Sequence, residues 1–204
     1  MSERVKLFLD LDDTVKDTER YIRKVFASNG LQYDAPGSIY RYISSGTVED
    51  TLIRECFYDW NVIPFKDCAL NGIKLLQTEY DVIFCTAYTF NKEAQMKKSL
   101  AKTLGCDIIL CGDGNRYKDK VDMSGGIFVD DRADILLRSN ADVKFELYSP
   151  YFLDGYAERD DKTLIVDWYS LIDILMNKGI DTTEVDKRGG ILYEKFGRLL
   201  CAGV

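Results

Sequence analysis

Short apolar runs alternate with longer amphipathic stretches along this chain. Runs without internal alternation are typical of strands that are buried on both faces, as in a parallel sheet. They cover residues 5–9, 82–85, 108–111, 127–129 and, more weakly, 143–147. The stretches between them have apolar residues at helical spacing and predict helices over residues 18–28, 47–58, 67–76, 91–105, 132–138 and 168–176. Strands that alternate with helices predict an α/β fold with a mostly parallel sheet.

The first two predicted strands are separated by far more chain than one crossover helix needs. The excess predicts a small helical cap over residues 17–78, inserted after the first strand and rich in aromatic residues. We expect most of these aromatics to form the cap's own core and a few to face a planar ligand. Residues 1–16 and 79–180 are predicted to form the core domain. The extension 181–204 could pack on the core or on a second subunit, and the sequence does not decide between the two. A homo-oligomer therefore stays open as a partner.

Composition and charge narrow the chemistry. No apolar run is long enough to cross a bilayer and the N-terminus lacks a signal-peptide pattern, so we expect a cytoplasmic protein without a membrane partner. The formal net charge of −7 disfavours a nucleic-acid polymer as partner, because that would require a basic stripe. The chain has no histidine, which excludes every mechanism with a histidine nucleophile, base or metal ligand. The six cysteines form no C-x-x-C pair, so we expect reduced buried thiols.

Polar side chains follow four of the predicted strands, at the point where ligands bind a parallel sheet. These are Asp10, Asp12 and Asp13 after the first strand, Thr86 after the second, Lys118 and Lys120 after the third, and Asp130 with Asp131 after the fourth. Each group alone is more typical of a turn, a helix cap or a solvated surface. Their recurrence at successive strand ends makes coincidence a poor explanation and predicts one shared site.

In this order the groups resemble the four motifs of the haloacid dehalogenase-like hydrolase superfamily, most of whose members are phosphatases. The resemblance covers residues 6–131, with the D-x-D-x-T stretch beginning at Asp10 as its first motif. The chain is more closely similar to the 5′(3′)-deoxyribonucleotidases and their phage and bacterial relatives. That similarity is carried by FCTAY, KDKVD, IFVDDR and SNADVKFELYSPYF. The chain departs from this narrower pattern at Asp13, where glycine is usual, and at Thr18, where an aromatic is usual.

The resemblance implies a Rossmann-like parallel sheet with a small helical cap. It also implies a Mg²⁺-dependent phosphatase that acts on a nucleoside 5′-monophosphate, with deoxyribonucleotides preferred. Asp10 would attack phosphorus and form an aspartyl-phosphate, which is covalent catalysis by a carboxylate. Asp12 would protonate the leaving oxygen and then activate water. We expect Asp13 to serve the local turn or a helix cap.

The same resemblance implies how the metal and the phosphate are held. Asp10 and Asp130 would bind Mg²⁺ through their side chains and Asp12 through its backbone carbonyl, with Asp131 behind them or acting through water. Thr86 and the backbone at Ala87 would bind the phosphoryl group. The lysine would be Lys120, which lies ten residues before Asp130, with Lys118 as the alternative.

Three other functions stay open at this point. The substrate could be a sugar phosphate, or the phosphorylated end of a nucleic acid. The chain could also be a signalling or phosphate-binding module, because receiver domains use a similar set of residues around a phosphorylated aspartate. In receiver domains the acidic pair comes early and the lysine last, whereas here the lysine precedes a second acidic pair. This order favours a hydrolase.

Overall fold

The computed structural model describes residues 4–31, 39, 44–112, 118–149 and 163–177. Its centre is a six-stranded parallel sheet with the strand order β3-β2-β1-β4-β5-β6. The strands are β1 (Lys6–Leu9), β2 (Asp81–Ala87), β3 (Asp107–Cys111), β4 (Ile127–Asp130), β5 (Val143–Leu147) and β6 (Leu164–Val166). The α/β fold with a parallel sheet is therefore confirmed.

Helices cover both faces of the sheet, which explains why its strands are continuous apolar runs. They are α1 (Thr18–Ser28), α2 (Val48–Tyr58), α3 (Ala69–Leu76), α4 (Asn91–Leu104), α5 (Ala133–Arg138) and α6 (Trp168–Met176). Leu7, Leu9 and Phe84 point into the core beneath α3, α4 and α6. Phe8 and Phe128 point to the other face, where they pack with residues of α5. No helix in the described part of the chain has the length and apolar character that a bilayer crossing requires.

The insertion between β1 and β2 has two parts. Helices α1 and α2 share a small core of their own, formed by Ile22, Phe26, Ile39, Ile53 and Cys56. Helix α3 lies within the predicted cap range 17–78, but its side chains join the main core beneath the sheet. It packs closely on α6, because a Cβ placed on Gly72 would lie only 2.7 Å from Cδ1 of Ile172. The extension 181–204 lies outside the described residues.

The helices begin within one residue of the predicted ranges, except α3. Helix α3 begins at Ala69, two residues later than predicted, after Cys68, which has a left-handed φ of 65°. Helix α4 begins at Asn91, and the side chain of Glu93 accepts the backbone N–H of Thr89 at 2.9 Å in the loop before it. Helix α2 begins at Val48, and the Thr47 hydroxyl before it accepts the backbone N–H of Asp50 at 3.2 Å.

Candidate active site

The strand order reverses between β1 and β4, and the predicted acidic residues gather at that point. The backbone N–H of Asp10 extends the β1–β4 pairing by donating to the carbonyl of Val129 at 3.0 Å. Asp10, Asp130 and Asp131 each offer a carboxylate oxygen, and these atoms lie within 4.8 Å of one another. All three residues are buried. A crevice at such a reversal is where open α/β sheets bind ligands.

A buried lysine lies between two of these carboxylates. Lys118 Nζ donates to Asp10 Oδ1 and to Asp130 Oδ2, each at 2.6 Å. Burial alone would lower the pKa of Lys118, but the charges of Asp10 and Asp130 outweigh burial and raise that pKa above its ordinary value. Lys120 is exposed. The structure therefore brings the alternative, Lys118, into the cluster and leaves the expected Lys120 outside it.

The acidic pair is strongly perturbed by its surroundings. Burial raises the pKa of Asp130 to about 6, although the charge of Lys118 opposes the shift. Burial also raises the pKa of Asp131 well above its ordinary value, and the nearby charges of Asp130 and Asp13 add to the effect. Several carboxylates crowded into a dry site are costly unless a cation balances them. The cluster therefore has the chemistry of a site for a hard divalent cation.

Asp12 points to a different set of partners. Its Oδ1 accepts the indole N–H of Trp60 at 2.7 Å and the hydroxyl of Thr18 at 3.3 Å. Its Oδ2 accepts Lys97 Nζ at 2.5 Å. The Asp12 side chain is still 24% exposed. The two aspartates of the D-x-D stretch are thus held by different lysines, Lys118 at Asp10 and Lys97 at Asp12.

Thr86 and Ala87 lie at the end of β2, which pairs directly with β1. Thr86 is fully buried, and its Oγ1 lies 3.3 Å from Lys97 Nζ. The carbonyl of Ala87 accepts Lys97 Nζ at 2.6 Å. Burial would lower the pKa of Lys97, but Asp12 and Glu93 outweigh burial and raise it. The predicted phosphate-binding residues are therefore joined to Asp12 through one buried ammonium.

The loop after β1 is held in place by its remaining polar residues. Asp13 has a left-handed φ of 54°, and its Oδ1 accepts the backbone N–H of Glu19 at 2.8 Å. It thereby binds the first turn of α1, which agrees with the turn or cap role expected for it. Burial raises the pKa of Asp13 to about 8. Thr14 Oγ1 donates to Asp131 Oδ1 at 3.3 Å, and the indole of Trp168 donates to the Thr14 carbonyl at 2.8 Å.

Lys97 and Trp60 are absent from the sequence-based site. Lys97 could have been noticed, because it lies between Ala94 and Ala101 on the buried face of α4, where an apolar residue is the rule. Trp60 carries no such signal, because a tryptophan in an aromatic-rich insertion reads as core. Both are fully buried.

The comparisons with known proteins agree with the fold. No family model matches the chain, and no curated protein matches it in sequence. Its structure is similar to that of a haloacid dehalogenase-like hydrolase from Bacillus subtilis bound to magnesium, with a TM-score of 0.54 and 13% identity over 85% of this chain and 99% of that one. A haloacid dehalogenase-like hydrolase from Streptococcus pneumoniae gives a TM-score of 0.55 at 13% identity, over 85% of this chain and 99% of that one. The structure of an L-2-haloacid dehalogenase gives a TM-score of 0.53 at 12% identity, over 85% of this chain and 100% of that one.

At these identities the likeness shows the fold alone. The chain has the haloacid dehalogenase-like hydrolase fold, with a buried aspartate cluster at its strand ends.

Proposed function

We propose that this chain is a metal-dependent phosphatase that uses Asp10 as its nucleophile. The observation that carries the proposal is the meeting of Asp10, Lys118 and the Asp130–Asp131 pair at the strand reversal. A phosphate monoester is anionic and resists a carboxylate nucleophile, so its site must combine a nucleophile with concentrated positive charge. Lys118 contributes such charge directly beside the nucleophile.

The residues of this chain support a two-step reaction. Asp12 takes up a proton when the substrate binds. A carboxylate oxygen of Asp10 then attacks phosphorus, the bond to the leaving oxygen breaks, and the Asp12 carboxyl gives that oxygen its proton. The result is an aspartyl-phosphate and a free alcohol. Asp12 then takes a proton from water as the water attacks phosphorus, which releases phosphate and restores Asp10. Thr86 and the backbone at Ala87 hold the phosphoryl oxygens.

The aspartate cluster fits a magnesium ion. Its ligands are hard oxygens, and Lys118 offsets the charge of only one of the three buried carboxylates. Asp10 and Asp130 would bind the ion through their side chains and Asp12 through its carbonyl, with Asp131 behind them or acting through a water. When bound, the ion supplies charge that lowers the repulsion between the phosphate and the nucleophile. The magnesium reported for the similar Bacillus subtilis protein supports this choice.

We infer that the substrate is a nucleoside 5′-monophosphate rather than a nucleic-acid polymer. The sequence resemblance to the deoxyribonucleotidases and the helical insertion support this. The net charge of −7 disfavours a longer nucleic acid.

The test compares Asp10→Asn with the wild-type protein on p-nitrophenyl phosphate, with Mg²⁺ and with EDTA. We expect the variant to lose about 10³-fold or more in kcat/KM, because it lacks the nucleophile. EDTA should abolish wild-type turnover, and added Mg²⁺ should restore it. Asp107→Asn makes the same chemical change at an exposed position at the opposite end of the sheet, and it should keep full activity. An Asp10→Asn variant with wild-type activity would overturn the proposal.

A substrate panel tests the finer inference. Deoxyribonucleoside and ribonucleoside 5′-monophosphates are compared with sugar phosphates and with an L-2-haloacid. We expect the nucleotides to give the highest kcat/KM. Faster turnover of a sugar phosphate would replace the nucleotide assignment, and halide release from the haloacid without phosphate hydrolysis would replace the phosphatase assignment.

A further inference from the structure

Lys97 is a fully buried lysine on the core helix α4, and it contacts both Asp12 and the end of β2. Its Nζ donates to Asp12 Oδ2 at 2.5 Å and to the Ala87 carbonyl at 2.6 Å. It lies 2.7 Å from Glu93 Oε1 and 3.3 Å from Thr86 Oγ1. Four acceptors thus surround an ammonium group that has three protons. The three protons of Lys97 are therefore all engaged by acceptors of this chain in the described structure.

We propose that Lys97 is a positioning residue that holds the Asp12 carboxyl in register with the phosphate-binding end of β2. The proposal rests on the phosphatase function proposed above and adds a residue to it. Asp12 follows β1, Thr86 is the last residue but one of β2, and Lys97 makes contact with both side chains. If Asp12 shifted relative to the bound phosphate, its proton would no longer point at the leaving oxygen. A misplacement of about 1 Å can reduce the rate about 10²-fold.

Glu93, the other carboxylate beside Lys97, holds the ammonium group in place. Glu93 lies one helical turn before Lys97, and its Oε2 accepts the backbone N–H of Thr89 in the loop between β2 and α4. The chain of contacts therefore runs from that loop through Glu93 and Lys97 to Asp12. A buried ion pair contributes little net stability compared with apolar residues of similar volume, because its desolvation offsets its attraction. A lysine on the apolar face of α4 thus calls for an explanation other than stability.

The proposal predicts a dependence on the leaving group. An alkyl phosphate, such as a nucleoside 5′-monophosphate, needs its leaving oxygen protonated, whereas p-nitrophenolate leaves readily without a proton. kcat/KM reports the first irreversible step, in which the leaving oxygen departs. A loss of Asp12 positioning should therefore reduce kcat/KM for the alkyl phosphate far more than for the aryl phosphate.

The experiment measures kcat/KM of Lys97→Met on both substrates with Mg²⁺ present. We expect a loss of about 10²-fold on the alkyl phosphate and a several-fold smaller loss on p-nitrophenyl phosphate, in line with the contribution of a general acid. Lys98→Met removes the neighbouring exposed lysine of the same helix and should match the wild type on both substrates. A thermal melt confirms that each variant is folded. If Lys97→Met does not fold, Lys97→Met/Glu93→Leu replaces it, because it leaves no unpaired Glu93 charge in the interior.

The outcomes separate this inference from the proposed function. Equal losses on both substrates, or no loss on either, would overturn the positioning role while an inactive Asp10→Asn leaves the phosphatase proposal standing. An active Asp10→Asn would overturn both.

Discussion

At the scale of single residues, the choice between Lys118 and Lys120 shows how a site depends on the turn that presents it. Lys118 has a left-handed φ of 59°, and its side chain is buried against Asp10 and Asp130. Lys120 lies two residues further along, in an exposed turn. Spacing along the chain cannot decide between two nearby lysines, because a change in the conformation of one turn exchanges their directions. The contact geometry decides between them, because Lys118 Nζ lies 2.6 Å from a carboxylate oxygen of Asp10 and of Asp130.

Paired substitutions test this assignment. Lys118→Met should lower kcat/KM on p-nitrophenyl phosphate by about 10²-fold, because it removes a fixed positive charge from a water-poor site. Lys120→Met removes the same charge from an exposed position and should change kcat/KM by less than about threefold, since exposed charges are screened. Steady-state kinetics at one Mg²⁺ concentration measures both variants. A larger loss in Lys120→Met than in Lys118→Met would contradict the assignment.

The acidic residues of the site could be predicted, whereas the partners of Asp12 could not. Asp10, Asp130 and Asp131 each follow an apolar strand, so the pattern of the chain places them together. Trp60 and Lys97 meet Asp12 across 48 and 85 residues of sequence. Such contacts depend on how α4 and the segment after α2 pack, and a linear pattern does not contain that information.

At the scale of elements, the insertion after β1 divides differently from the predicted cap. Helices α1 and α2 enclose their own apolar cluster, while Trp60 and α3 belong to the main core. A parallel β1–β2 pair needs a crossover that packs on the sheet, and α3 fills that role. Trp60 therefore lies where the insertion meets the core, with its indole N–H on Asp12.

Trp60→Phe tests whether this contact serves catalysis. The change keeps an aromatic ring and removes the N–H that donates to Asp12 at 2.7 Å. We expect kcat/KM to fall about tenfold, with a loss of about 2 kcal/mol in the free energy of unfolding, because the change removes a hydrogen bond to a carboxylate and leaves a gap where the indole packed. Trp168→Phe makes the same change at an indole that donates to the backbone carbonyl of Thr14. It should cost similar stability and less activity. Equal losses of activity in the two variants would show that the Trp60 contact is only structural.

At the scale of the whole molecule, the alternation of strands and helices predicted the parallel sheet, and the sheet brought the acidic strand ends together. The strand order could not be read from the chain, because β1 pairs with β2 and with β4 at very different sequence distances. Strand β6 was missed because it is short and its middle residue, Ile165, is exposed at the sheet edge. A half-exposed edge strand lacks the continuous apolar signal of a central one.

The buried acidic cluster lowers the stability of the folded chain, and a bound cation should restore part of that stability. The chain has a net charge of −7, and three of its carboxylates are buried within 4.8 Å of one another. An ion that binds only the folded state stabilises it by about 2.7 kcal/mol at a hundredfold excess over its Kd. For a domain of this size, that corresponds to a rise in Tm of roughly 5–10 °C. NaCl at matched ionic strength should give a much smaller rise, because it screens charge without filling the site.

Asp131→Asn shows whether the rise comes from the cluster. It removes one carboxylate while leaving Asp10 and Asp130 on Lys118, and an amide oxygen can still accept the Thr14 hydroxyl. Loss of such a supporting group weakens metal binding about 10- to 100-fold, so half or more of the Mg²⁺-dependent rise in Tm should disappear. Asp107→Asn makes the same change in net charge at an exposed site and should keep the full rise. A rise of equal size in both variants would mean that Mg²⁺ acts through the surface charge of the molecule and not through this cluster.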